Sequence, residues 1–236
     1  MVFSLLCSWA LAHYAQINHL SKCPIFPDHL FHQILDIAKT GDVILLDIPI
    51  GLRTSGKDER VCDKEARQLL KPKRSSSVFP APCRPALFAG DYLTGSEINF
   101  RNTGRRLSQQ SWAIAKKIKE VDEFVVRHHT KVNVREIHPE ICFWSLNSKS
   151  PLDYPKKSRD GFNERLKLLS THLQCAGMIV ELAMNEFLRK EVARDDILDS
   201  LVGAITAMHP LKTIPEAPEI DDMGLKMEMV FAAESD

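Results

Sequence analysis

Three groups of acidic side chains have the type and spacing to do chemistry. Asp47 closes the apolar run Val43-Ile-Leu-Leu46 and stands just before Pro49-Ile-Gly51. In open α/β sheets ligands bind in the crevice beyond the strand ends. A carboxylate there serves as a metal ligand or base, or it simply satisfies the N–H groups of a turn. The second group lies in Arg194-Asp-Asp-Ile-Leu-Asp-Ser200, where helical geometry puts Asp196, Asp199 and Gly203 on one stripe with Thr206 beside them. Two carboxylates one turn apart would share a divalent cation. Equally, acidic residues in a first helical turn answer the helix dipole, and Asp195 is placed to cap it. The third group is Glu136-Ile-His-Pro-Glu140, in which strand alternation sets Glu136 and His138 on one face. They either face the same crevice as Asp47 or pair with nearby Arg and backbone.

These residues need elements to hold them. The short apolar run 43–47, bounded by Gly41 and Pro49, predicts a strand covered on both faces, and 132–137 predicts another, stopped by Pro139. Residues 2–20 read as one or two strands, and 28–38 as a helix with Asp28 as N-cap. Helices are also predicted over 63–70, 108–126 and 195–208, with a long pattern over 162–192 that breaks near Gly177. Residues 75–85 are a Ser/Pro-rich loop, 210–218 a linker and 223–231 a short final strand. The alternation of strands and helices favours one α/β domain over 1–236.

Composition narrows the classes. Thirty-one Lys+Arg against 31 Asp+Glu leave no net charge, which argues against a basic coat for non-specific DNA binding. Local basic stretches remain: 53–74 carries eight Lys/Arg against four Asp/Glu, and 101–119 six basic residues with no acidic one. Each is either a path for phosphates or a solvated helical face. The six cysteines include no Cys-x-x-Cys pair and no zinc spacing. They read as reduced thiols in a cytoplasmic protein. The apolar stretch 1–12 lacks the charged start of a signal peptide and is too short for a membrane span, so no membrane association is expected. No protein partner can be inferred.

The runs Asp47-Ile-Pro-Ile-Gly-Leu52, Arg60-x-x-Asp63-x-x-x-Arg67, Ser77-Val-Phe-Pro-Ala-Pro82, Lys119-Glu-Val-Asp122, Glu136-Ile-His-Pro-Glu140, Lys156-Lys157…Gly161…Arg165, Asp196-x-x-Asp199 and Asp222-Met-Gly-Leu-Lys-Met-Glu-Met229 follow one another in a distinctive order. In that order they resemble the domain-of-unknown-function family 429, described as predicted nucleases with an RNase H-like fold. The resemblance implies a mixed sheet of about five strands flanked by helices. It implies catalytic carboxylates at Asp47, Asp196 and Asp199 around Mg²⁺ or Mn²⁺, with Glu136 assisting. Arg60, Arg84, Lys156 and Arg165 are then the expected contacts to the phosphates of a nucleic acid. Phe3 stands where the first-strand Asp of the family is expected, and Cys7 and Ser8 where its turn glycines are. That departure predicts either impaired catalysis, leaving a non-catalytic binding or scaffolding module, or a true start upstream of Met1.

Overall fold

The structure is a computed structural model that describes residues 42–188 and 192–233. Strand β1 (Val43–Leu46) runs parallel to β2 (Asn133–Glu136), with Leu46 opposite Glu136 at their carboxyl ends. Alternation divides β1 between two cores. Leu45 packs with Phe143, Leu169, Leu198 and Leu201, while Ile44 packs with Val121, Phe124 and Val125. A parallel strand covered on both faces needs an unbroken apolar sequence, which Val-Ile-Leu-Leu supplies.

Between the strands come α1 (Val61–Leu69), two 3₁₀ turns (Ser75–Ser77 and Arg84–Phe88), α2 (Tyr92–Thr103), α3 (Gln109–Ala113) and α4 (Ala115–His128). After β2 follow α5 (Pro139–Leu146), α6 (Arg159–His172), α7 (Ala176–Glu186) and α8 (Arg194–Ala207). α8 buries Leu198, Leu201, Val202 and Ile205 in the largest core. The chain ends in an antiparallel hairpin of β3 (Leu211–Ile220) and β4 (Lys226–Ala232). Its turn is held by Asp221, whose carboxylate accepts the Met223 and Leu225 N–H groups at 2.8 and 2.9 Å. No helix among the described residues is long and apolar enough to cross a membrane.

The sheet differs from expectation. Instead of a mixed sheet of about five strands, the described residues form four strands in two separate two-stranded sheets. β1 and β2 are only four residues each, cut off by Pro49 and Pro139. β4 approaches β2, where Glu228 pairs with Arg135 at 2.8 Å, yet no ladder joins the two sheets. The strands expected over 2–20 and the helix over 28–38 lie outside the described residues, as do Phe3, Cys7 and Ser8. The linker expected over 210–218 is β3. Pro215 and Pro218 lack an N–H, so the ladder is interrupted between Ile214 and Glu219 and then resumes. The helix expected over 108–126 is two, α3 and α4, meeting at Ile114.

Gly51 lets the loop after β1 lie against the hairpin. Its φ is +73°, and a Cβ there would sit 2.6 Å from the Lys226 carbonyl oxygen. Gly51→Ala is therefore expected to cost about 2–5 kcal/mol, left-handed strain adding to a clash with backbone. Gly104→Ala is the control in urea denaturation: φ is +74° but the surrounding space is open. It should cost only about 1–2 kcal/mol, and equal losses at the two sites would refute the packing argument.

Candidate functional site

The parallel register brings the ends of β1 and β2 together, and the loop after β1 curls back over the end of β2. The Ile50 N–H donates to Glu136 Oε2 at 2.7 Å. Asp47 thus reaches the mouth of a cavity of about 730 Å³, which α8 enters from another side with Asp196 and Asp199. Glu136, His138 and Glu140 also line it, and so do Lys117, Lys156 and Lys157. The strand-end and late-helix aspartates, far apart in sequence, share one crevice.

Their charges act on one another. The surrounding protein pushes Asp47 up to about 6; Lys156 opposes the rise and Asp196 adds to it. Asp47 still opens to solvent within the crevice, and water screens part of that rise. Burial likewise pushes Asp199 up to about 6, against the pull of Lys156 and with repulsion from Asp47 and Glu140. Lys156 Nζ lies 2.9 Å from Asp199 Oδ2 and 3.4 Å from Asp195 Oδ2. Burial works against its charge, but those two carboxylates outweigh it and hold the ammonium above its ordinary range. Asp199 Oδ1 and Glu140 Oε2 are buried and accept no hydrogen bond among the described residues.

Asp196 has a second engagement. Its Oδ2 accepts the Ala193 N–H at 3.3 Å, so it caps α8 from the first turn, with Ala193 rather than Asp195 at the N-cap. Farther along that stripe Gly203 and Thr206 are buried rather than open to the crevice.

Three of the four basic residues expected at phosphates are interior. Arg60 donates to both oxygens of Glu136, at 2.7 and 3.0 Å, and to both of Asp63, at 2.5 and 3.2 Å. It also reaches the carbonyls of Ile50 and Gly51. Burial raises the Glu136 carboxyl and Arg60 opposes that rise. Three N–H donors aimed at its two oxygens suit the ionised form. Arg84 bridges Asp122 (2.9 and 3.0 Å) and Asp221 (2.5 Å), tying α4 to the hairpin turn. Arg165 is wholly buried, bonded to Glu140 and to the Tyr154 and Gly161 carbonyls, with its guanidinium 5.2 Å from the centre of the Phe143 ring. Of the four, Arg60 and Lys156 line the crevice, and the Arg60 guanidinium there is already taken up by Asp63 and Glu136.

Sequence reasoning did not mark Asp63, Glu140 or Asp195 as part of this centre. It placed His138 with Glu136, either facing the crevice or pairing nearby, but gave it no catalytic role. His138 is kept from charging chiefly by burial, and its Nδ1 has no partner among the described residues. Glu140 was signalled by its position behind Pro139, in the first turn where α5 begins.

The donor set can be weighed against the divalent cation that the resemblance implies. Asp47, Asp196 and Asp199 offer hard oxygen donors, and Asp199 keeps a buried oxygen without a partner among the described residues. In kind, then, they fit Mg²⁺ or Mn²⁺. Among the described residues, however, no three His, Cys, Asp or Glu side chains are gathered closely enough to hold a metal ion, and the cation beside Asp199 is the Lys156 ammonium.

A core that brings a strand-end Asp and a late-helix Asp into one crevice defines the molecule as an α/β protein with an acidic centre. The chain belongs to the family described as protein of unknown function (DUF429), whose model matches residues 8–219. No curated protein and no solved structure matches it.

Proposed function

We propose that this chain is a metal-dependent hydrolase of phosphodiester bonds in nucleic acid, working in the RNase H-like manner. The observation that supports this best is that Asp47, Asp196 and Asp199 line one crevice, where Asp196 raises Asp47 and Asp47 raises Asp199, and where Asp199 Oδ1 is buried without a partner among the described residues. Groups that repel one another this way are relieved by a shared cation. Asp47, Asp199 and Asp196 would hold Mg²⁺ or Mn²⁺, which when bound supplies charge to the phosphoryl oxygens and acidity to a water.

The other residues divide the remaining work. Lys156, Lys157 and Lys117 line the same crevice and neutralise phosphate oxygens. His138, neutral and with its Nδ1 unengaged among the described residues, accepts a proton. Arg60 with Glu136, Arg84 with Asp122 and Asp221, and Arg165 with Glu140 hold the frame that positions these groups. The free thiols of Cys62, Cys83, Cys142 and Cys175 support a cytoplasmic location.

A second reading, a binding module without catalysis, is favoured by the Lys156–Asp199 pair, which already neutralises one of the carboxylates. Incubation with single-stranded, duplex and junction DNA and with RNA in Mn²⁺ separates the two. Cleavage that EDTA stops and that Asp47→Asn lowers at least about a hundredfold is the expected result. Metal-independent binding with no cleavage of any of these would establish the second reading instead.

A further inference from the structure

Next to the carboxylate crevice, and sharing Lys156 and Lys157 with it, lies another cavity of about 630 Å³. Its wall carries four cations, Lys156, Lys157, Arg159 and Arg194, against one acid, Asp195. Lys156 is held by Asp199 and Asp195, whereas Lys157, Arg159 and Arg194 are exposed and form no ion pair with a described carboxylate. By contrast, Arg53, Arg60, Arg67, Arg84, Arg105 and Arg165 all face acidic partners. The cavity also lies where α6 and α8 begin, between Ser158-Arg159 and Ala193-Arg194. Both helices are 14 residues long, so their positive ends add to the same field. A gathering of unmatched cations around a hollow calls for a compact anion of high charge.

We infer that this cavity seats a backbone phosphate of a nucleic-acid strand, away from the bond over Asp47 and Asp199, so that the substrate is a polynucleotide and not a mononucleotide. The inference rests on the hydrolase reading for the position of the scissile bond. The phosphate seat itself does not depend on cleavage. Because Lys156 and Lys157 line both cavities, a strand crossing from one to the other keeps continuous contact with positive charge.

The test is fluorescence anisotropy of the full chain with fluorescein-labelled single-stranded DNA and RNA 16-mers in EDTA, over a range of KCl concentrations. Arg159→Ala/Arg194→Ala is expected to weaken binding about tenfold or more and to flatten the salt dependence by about two phosphate contacts. Arg159→Lys/Arg194→Lys should restore most of the affinity with an unchanged melting temperature. Inorganic phosphate should compete only in large excess. If the Ala variant binds with wild-type affinity and salt slope, if neither 16-mer binds wild type, or if phosphate competes as well as the strand, the inference is overturned. Binding that depends on these arginines without Mn²⁺-dependent cleavage would sustain the phosphate seat and remove the hydrolase reading. Cleavage with binding indifferent to both arginines would do the reverse.

Discussion

Arg60→Met is expected to lower stability by about 3–5 kcal/mol, or to prevent folding, because it strands two buried carboxylates at once. Asp63 and Glu136 are 1% and 3% exposed, and Arg60 itself only 3%. The guanidinium is their shared cation, through four hydrogen bonds, and it also engages the carbonyls of Ile50 and Gly51. Methionine fills much of the volume but leaves both charges without a partner. Adding Asp63→Asn and Glu136→Gln to the Met variant removes those charges and should recover a good part of the loss in urea denaturation. A triple variant no more stable than Arg60→Met would locate the cost in the loop carbonyls instead. A loss under about 1 kcal/mol, the range of an exposed ion pair, would refute the argument altogether. Arg159, exposed at the start of α6, is the internal comparison: its replacement should stay within about 0.5 kcal/mol.

The same residue shows where local sequence stops being informative. Arginine is rarely buried, so a basic run such as 53–74 reads as a surface, and nothing in it says that Arg60 points inward. The acid partner three residues on, Asp63, was a hint, but Glu136 lies far along the chain and only the β1–β2 register brings it near. Arg165 was more legible. Gly161, Arg165 and Leu169 fall four apart on α6 and all three are buried, so helical phase alone puts the guanidinium inside.

Elements followed the same division. β1 was readable as an unbroken apolar run bounded by Gly41 and Pro49, and α8 by Leu198, Leu201, Val202 and Ile205 behind an acidic first turn; they carry Asp47 and Asp199. α5 escaped because it is buried nearly all round, leaving no polar face to reveal a period, and Pro139 read as a strand stop rather than as a first helical residue. α2 has little amphipathic contrast. Its signals were the cap Asp91, which accepts the Thr94 N–H, and Gly104 in the left-handed region behind it. β3 was hidden by Pro215 and Pro218, which suggest a linker unless its antiparallel partner is known.

Replacing Lys156 by Met is expected to turn the crevice from a site that carries its own cation into one that takes a cation from solution. The ammonium, half-exposed, pairs with Asp199 at 2.9 Å, and the other Asp199 oxygen has no partner among the described residues. Without it Asp199 and Asp47 both rise further, since Lys156 is what opposes their desolvation. The sign of the pH effect follows. A carboxyl whose folded pKa lies above the unfolded value binds more protons folded than unfolded, so stability falls as pH climbs through that interval. For Asp199 the interval already runs from 3.8 to about 6, and in the Met variant it extends higher. The variant should therefore lose about 1–3 kcal/mol at pH 7 and regain most of it by pH 5. Mn²⁺ at pH 7 should replace the missing charge, raising the melting temperature of Lys156→Met more than that of wild type. A hundredfold excess over the dissociation constant is worth about 2.7 kcal/mol. The effect should vanish at pH 5, where the carboxyls hold protons. Equal Mn²⁺ stabilisation of both proteins would mean that Lys156 does not stand in a cation's place. A pH-independent loss would mean that its role is packing alone. Either result can be read from thermal melts, whether or not any phosphodiester is cut.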